Sequence, residues 1–458
     1  MQETLSHYFG YKSFRPGQEE IITKILNHQH TLGVLPTGGG KSICYQVPGL
    51  MQGGTTIVIS PLISLMKDQV DQLQAMGIQA AYLNSSLTHK QQKEIEERIK
   101  RGAIQFLYVA PERFENTFFL NLLRKIKIPL IAFDEAHCIS KWGHDFRPSY
   151  QSVIQKVFTL PQNFTIVALT ATATAEVQQD IMSKLSIGQN DVVKTSTKRR
   201  NLIFKVNPTY QRQKFVVDYV ANHEGQAGII YCSTRKQVEE LHEALNSEKI
   251  KSTIYHAGLT NKERIEAQND FLYDRVEVVI ATNAFGMGID KSNVRYVIHY
   301  NMPGDLESYY QEAGRAGRDG LKSECILLFS ERDKGLHEYF ITVSQADDDY
   351  KDKMGEKLTK MIQYTKTKKC LEATIVHYFE PNENLEECNQ CSNCIQENKT
   401  YDMTREAKMI ISCIARMKQQ ESYSVIIQVL RGEVTDYIKH HHYNKLTTHG
   451  LMKNYTTS

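Results

Sequence analysis

Nine short apolar, β-rich runs fall into two series, and helical patterns separate each run from the next. The first series is TTIVIS (55–60), IQFLYVA (104–110), PLIAFD (129–134) and TIVALT (165–170). The second is AGIIYC (227–232), STIYHA (252–257), VEVVIAT (276–282), VRYVIHY (294–300) and CILLF (325–329). A continuous apolar run has no wet face, so it needs cover on both sides of its sheet. A helix after each run supplies that cover and returns the chain for the next parallel strand. The segment STKRRNLIFKVNPTYQRQK (196–214), polar and basic at both ends, parts the two series. Two α/β lobes in tandem are therefore expected, rather than one long sheet. A length of 458 residues also exceeds what one core holds.

After about residue 335 the strand rhythm stops. ADDDYKDKMGEKLTKMIQYTKTKK (346–369) reads as a helix with Met354, Leu358, Met361 and Ile362 at helical spacing. The expected division is lobe one over 1–200, lobe two over 201–335, a helical hairpin with a cysteine group over 336–400, and a tail over 401–458 that opens with the helical pattern MTREAKMIISCIARMKQ.

Lys plus Arg is 55 and Asp plus Glu is 52, a net charge of +3, so bulk charge does not announce a nucleic acid and any basic surface must be local. No apolar run is long enough to span a membrane, and MQETLSHYFGYKSF lacks the basic and apolar regions of a secretory signal. A cytoplasmic protein is expected, with Cys44, Cys138, Cys232, Cys325 and Cys413 reduced.

LPTGGGKS (35–42) follows an apolar run and precedes the helix-compatible ICYQVPGLM. A glycine-rich turn at a helix N-terminus offers backbone N–H groups to phosphate; Lys41 can reach the β and γ phosphates, and Ser42 can ligate magnesium. The strict phosphate-loop pattern wants glycine where Leu35 stands, so the match is partial, and the bland rival is a flexible loop with an incidental lysine. PLIAFD ends in Asp134 and Glu135, at the ligand-facing edge expected of a parallel strand. Asp134 is suited to hold magnesium and Glu135 to polarise the attacking water; alone, the pair would be no more than a solvated acidic turn. In SYYQEAGRAGRDG (308–320), Arg315 and Arg318 would share a face if the segment were helical, and two guanidinium forks could steady charge on a γ-phosphoryl. The rival is a pair of surface ion pairs.

Cys370, Cys388, Cys391 and Cys394 form two C-x-x-C steps overlapping at Cys391, plus one distant member. Four thiolates suit zinc, and an iron–sulfur cluster is the chemical alternative. His440, His441 and His442 read as a solvated basic stretch and receive no site.

FRPGQEEII, PTGGGKS, SPLISLMKDQV, DEAHCISKWGHDFRPSY, ALTATAT, IIYCSTRK, ATNAFGMGIDKSNVRYVIHYNMP and SYYQEAGRAGRDG occur in the order of a superfamily 2 helicase. With the loop after DEAH and the cysteine group, the chain resembles the RecQ family of DNA helicases, bacterial type, in a truncated or short form. The resemblance implies two RecA-like lobes with parallel sheets, a helical zinc-binding subdomain and a partial winged-helix region, the last carrying YSVIIQVLRGEVTDYI. It implies ATP, magnesium and zinc as cofactors. It implies 3′ to 5′ translocation on single-stranded DNA, unwinding of tailed duplexes, roles in recombination and repair, nucleoid association, and a single-strand-binding protein and repair factors as partners.

Carried over by position, Tyr11, Arg15 and Gln18 would hold the adenine, and Thr37, Gly38, Gly39, Gly40, Lys41 and Ser42 the phosphates and metal. Asp134, Glu135, Gln311, Arg315 and Arg318 would complete catalysis, with Thr282 and Asp290 lining the cleft. The loop after DEAH supplies His137, Trp142, His144, Phe146 and Arg147 for DNA binding and coupling, since aromatic faces stack on unpaired bases. The rival for Trp142 is a core position. Two further readings stay in view: a DNA-stimulated translocase without efficient unwinding, and an RNA-remodelling enzyme of the DEAD-box type. A zinc-bearing scaffold with a dead nucleotide site is disfavoured by the intact Lys41, Asp134, Glu135 and Arg318.

Overall fold

The computed structural model describes residues 1–453 except 62, 86, 144, 286–290, 384–385 and 396–402. His144 and Asp290 therefore lie outside the described residues. The chain divides into two compact units, Met1–Ile395 and Gln396–Ser458.

The first unit holds two parallel sheets. The strands of sheet one are β1 (Thr31–Val34), β2 (Thr56–Ile59), β3 (Ala80–Leu83), β4 (Phe106–Val109), β5 (Leu130–Phe133), β6 (Thr165–Thr170) and β7 (Val192–Lys194), in the order β3-β4-β2-β5-β6-β1-β7. Those of sheet two are β8 (Leu202–Pro208), β9 (Ala227–Tyr231), β10 (Ser252–Tyr255), β11 (Val278–Ala281), β12 (Val294–His299) and β13 (Ser323–Phe329), in the order β10-β11-β9-β12-β13-β8. Every pairing is parallel.

Alternate side chains feed the two faces of each sheet. Ile57 and Ile59 enter one apolar layer of sheet one, and Val58 enters the other. Ile229 and Tyr231 lie on one side of sheet two and Ile230 on the other. All nine apolar runs contain strands. The segment 196–214, read as a junction, yields a strand as well. Among the described residues β8 pairs with β13 alone, at the sheet edge, and its alternating burial keeps it from reading as a continuous apolar run.

Two helices follow sheet two, Glu331–Val343 and Asp348–Lys366, and then Leu371–Phe379. Leu358, Met361, Tyr364, Leu371, Ile375, Phe379 and Cys391 join the same apolar cluster as Leu202, Phe204 and Tyr309. The hairpin and the cysteine group therefore share lobe two's core. The second unit packs helices Thr404–Arg416, Tyr423–Arg431 and Asp436–His440 around Cys413, Met417, Val429, Leu430 and Ile438. No described helix is long and apolar enough to cross a membrane.

Candidate functional site

β1 runs into the glycine turn, and helix Ile43–Gln52 leaves it. Leu35, where the strict pattern wants glycine, is 1% exposed, and its N–H bonds the Thr170 carbonyl. It extends the strand into the core, so no glycine is needed there. Gly38 and Gly40 have φ of +80° and +72°, a region open to glycine at little cost. A Cβ on Gly39 would stand 2.8 Å from the Pro36 carbonyl oxygen. Gln18 braces the turn: its Nε2 donates to the Gly39 and Gly40 carbonyls at 3.1 and 2.9 Å, and its Oε1 accepts from Arg15 N–H at 2.8 Å. Arg15 also donates to the Gly38 carbonyl. In this state the Gln18 amide holds the phosphate loop.

A cleft of about 420 Å³ opens beside this turn, a size in the range of small-ligand sites. It is lined by Tyr11, Arg15, Gln18, Thr37, Gly38, Gly40, Lys41 and Ser42, by Asp134 and Glu135, and by Gln311, Arg315 and Arg318 from lobe two. Of the residues expected at the nucleotide, Gly39 alone is not in the wall.

Asp134 sits at the end of β5, and its Oδ1 accepts from Glu135 N–H at 3.0 Å. Burial first, and then the Glu135 charge, push the Asp134 carboxyl up to about 7, while Lys41 acts the other way. A divalent cation would supply the charge this buried pair lacks, so the donor set of Ser42 and Asp134 fits magnesium. Glu135 adopts the left-handed conformation at φ +48°, uncommon outside glycine, which turns the chain sharply at the strand's end. His137 is fully buried; its Nδ1 lies 3.4 Å from Glu135 Oε2 and 3.0 Å from Thr170 Oγ1. Its ring therefore links the acidic pair to the ALTATAT strand rather than facing solvent.

Farther along the same segment, Trp142, Phe146 and Arg147 are half-buried. Arg147 holds Asp145 at 3.0 Å and the Pro61 carbonyl at 2.9 Å. Trp142 packs on lobe one's core, with Lys141 and Lys353 Nζ 5.5 and 5.9 Å from the ring centroid.

Arg315 and Arg318 do not share a helix face, which corrects the sequence reading. Helix Leu306–Ala313 ends at Gly314, and both arginines lie in the turn beyond it. Gly317 enforces that turn with φ +57°, and a Cβ there would meet Asn201 Nδ2 at 2.4 Å. The turn still brings both guanidinium groups to the cleft. The buried Nε of Arg315 has no hydrogen-bond partner among the described residues, a donor that a phosphate oxygen would satisfy. Thr282 is half-buried beyond β11, and its N–H donates to the Tyr255 carbonyl.

Sequence reasoning missed Arg199. Its guanidinium donates to the carbonyls of Gly314 (2.8 Å), Ala316 (3.1 Å) and Gly317 (2.7 Å), and reaches that of Thr37 at 3.4 Å. The only signal was the basic run KRR in the linker, which says nothing of its partners.

The four cysteines of the group come together. Sγ···Sγ separations are 3.4 Å (Cys391–Cys394), 3.9 Å (Cys388–Cys394) and 4.0 Å (Cys370–Cys391). A tetrahedron of thiolates about 2.3 Å from one zinc ion puts the sulfurs about 3.8 Å apart, so the fit is close. An iron–sulfur cluster spreads its cysteines over several irons and holds them farther apart. N–H groups of Leu371, Cys388 and Cys391 point at the sulfurs at 3.2–3.4 Å, as suits thiolate charge.

Comparison with known proteins matches four families in sequence: DEAD/DEAH box helicase over residues 15–181, helicase conserved C-terminal domain over 211–320, RecQ zinc-binding over 331–395 and RQC domain over 397–458. The zinc-binding match covers all four cysteines. The ATP-dependent DNA helicase RecQ of Bacillus subtilis is 47% identical over 99% of this chain and 76% of its own length. That of Haemophilus influenzae is 41% identical over 98% and 72%. Among solved structures, S. cerevisiae Dbp5 bound to RNA and ADP BeF3 superposes with a TM-score of 0.61 at 19% identity, covering 78% of this chain and 97% of that one. Mycobacterium smegmatis helicase Lhr bound to ssDNA and AMP-PNP gives 0.60 at 17%, covering 80% and 57%. At such identity these two show the fold alone.

Proposed function

Because the chain belongs to the RecQ family of ATP-dependent DNA helicases, we propose that it hydrolyses ATP in the cleft between its lobes to move 3′ to 5′ along single-stranded DNA and part duplexes. The observation that carries this reading is the meeting of Lys41, Asp134, Glu135, Arg315 and Arg318 in one cleft. Lys41 and the turn's N–H groups would bind the β and γ phosphates. Ser42 and Asp134 would hold magnesium, which supplies electrostatic stabilisation of phosphoryl transfer when bound. Glu135 would take the proton of the attacking water, and Arg315 and Arg318 would neutralise charge on the departing phosphoryl.

His137 bonds Thr170 and touches Glu135, so a change at the γ-phosphate has a short route into the Trp142–Arg147 segment, which would stack on and grip the strand. Roles in recombination and repair, contact with a single-strand-binding protein and nucleoid association belong to the same proposal by family. Lys41→Ala tests the core of it. DNA-stimulated ATP turnover and strand separation should both vanish while the fold, read by circular dichroism, persists. Stimulation by RNA but not DNA would favour the RNA-remodelling alternative.

A further inference from the structure

Helix Asp348–Lys366 touches both lobes through one buried lysine. Lys357 Nζ donates to the main-chain carbonyl of Trp142 at 2.8 Å and pairs with Glu307 at 3.0 Å. The Lys357 and Glu307 side chains are 6% and 3% exposed, so this is no solvated surface contact. An ammonium buried to this degree is stable only where its donors are met. The partners lie in the two halves of the motor. Trp142 follows Glu135 in the segment leaving β5, and Glu307 lies one helical turn before Gln311 on helix Leu306–Ala313.

The helix's other ties to lobe one are more exposed. Lys141–Asp347 at 2.7 Å is 35% and 59% exposed, and Lys353–Glu176 at 2.8 Å is 27% and 46% exposed. Such pairs hold little on their own. Leu358, Met361 and Tyr364 fix the helix into lobe two's core. Any movement of lobe two toward lobe one therefore drags Lys357 across the Trp142 carbonyl.

We propose that Lys357 is a latch, a positioning residue that holds the Trp142 segment in its DNA-free place, so that lobe closure and ATP hydrolysis wait until single-stranded DNA draws the segment off the lysine. This rests on the reading that the segment binds DNA. Glu307 keeps the lysine in place from lobe two, and the hydrogen bond to Trp142 is the part that breaks.

Trp142 is the sole tryptophan, so its fluorescence reports the segment independently of activity. Lys357→Met keeps the apolar stem and deletes the charge. The double variant Glu307→Gln/Lys357→Met also removes the buried negative charge from which the single change takes its ammonium. In the full chain without DNA, acrylamide should quench Trp142 more strongly in both variants than in wild type. Basal ATP turnover should rise about tenfold, the factor set by losing one charge-assisted hydrogen bond. Turnover at saturating oligo-dT should stay near wild type, so the stimulation ratio falls, and Lys357→Arg should restore it.

Parallel loss of basal and saturated turnover with unchanged quenching would overturn the latch and leave Lys357 a packing residue. Trp142→Ala, run alongside, separates the two ideas. If it loses DNA stimulation while Lys357→Met keeps the wild-type ratio, the latch is wrong and the DNA-binding segment stands. If Trp142→Ala responds to DNA as wild type, the segment reading fails and the latch with it.

Discussion

Replacing Arg199 by alanine removes the strut between the linker and the turn that carries Arg315 and Arg318. Three of its contacts, to Gly314, Ala316 and Gly317, are 2.7–3.1 Å long, and the fourth, to Thr37, is long at 3.4 Å. Burial holds the guanidinium's pKa below the usual arginine value, a sign of how far water is excluded. Hydrogen bonds from charged donors contribute up to about 3 kcal/mol each, but one guanidinium shares them, so about 1 kcal/mol for each short bond gives a loss of about 3 kcal/mol. Urea unfolding followed by circular dichroism should show a lower midpoint at unchanged slope.

The functional loss should be larger than the stability loss suggests. Asn201 Nδ2 and the Gly320 N–H still reach the Gly317 carbonyl, but the Gly314 and Ala316 carbonyls lose the guanidinium; the turn reorganises, and a displacement near 1 Å at the transferring phosphoryl costs about 100-fold in rate. ATP turnover at saturating ATP and DNA should fall by that order, with ATP affinity less affected because Lys41 and the glycine turn stay in place. Arg199→Lys, able to reach fewer carbonyls at once, should fall between. A wild-type urea midpoint together with wild-type turnover in Arg199→Ala would refute the strut.

Two further outcomes follow from the same geometry. Glu135→Gln should keep nucleotide binding, measured with a fluorescent ATP analogue, and lose turnover by ~10²–10⁴-fold, as removal of a general base does; loss of binding instead would mean the carboxylate shapes the cleft. Elemental analysis should find zinc in the wild-type chain and none in Cys391→Ala, whose Tm should fall by ~5 °C or more, because Cys391 lies in the shared core and its sulfur accepts from the Leu371 N–H at the start of helix Leu371–Phe379; iron in place of zinc in the wild-type chain would contradict the single-ion geometry.

The lobes were legible because strands buried on both faces leave long apolar runs. β8 was not, because its own burial alternates and leaves no continuous apolar run. The glycine turn and the acidic pair were legible because their chemistry is local in sequence. Arg315 and Arg318 were found as a pair but placed on a helix, since spacing alone does not reveal that Gly314 and Gly317 end it. Gln18 was expected at the adenine, and its amide is engaged by the phosphate loop. Arg199 and Lys357 stayed hidden for another reason. The carbonyls they hold lie 115–162 residues from Arg199 and 215 from Lys357, and no local pattern marks a side chain that acts on a distant carbonyl.

If ATP hydrolysis in the cleft drives DNA strand separation through the segment after Asp134, the polarity of the single-stranded tail decides which duplex opens. The most direct measurement follows separation of a duplex with a 3′ single-stranded tail and ATP turnover in the same tubes, with magnesium at low salt, beside the same duplex with a 5′ tail. The 3′-tailed duplex alone should separate, with turnover raised by DNA. Turnover indifferent to DNA would contradict that coupling.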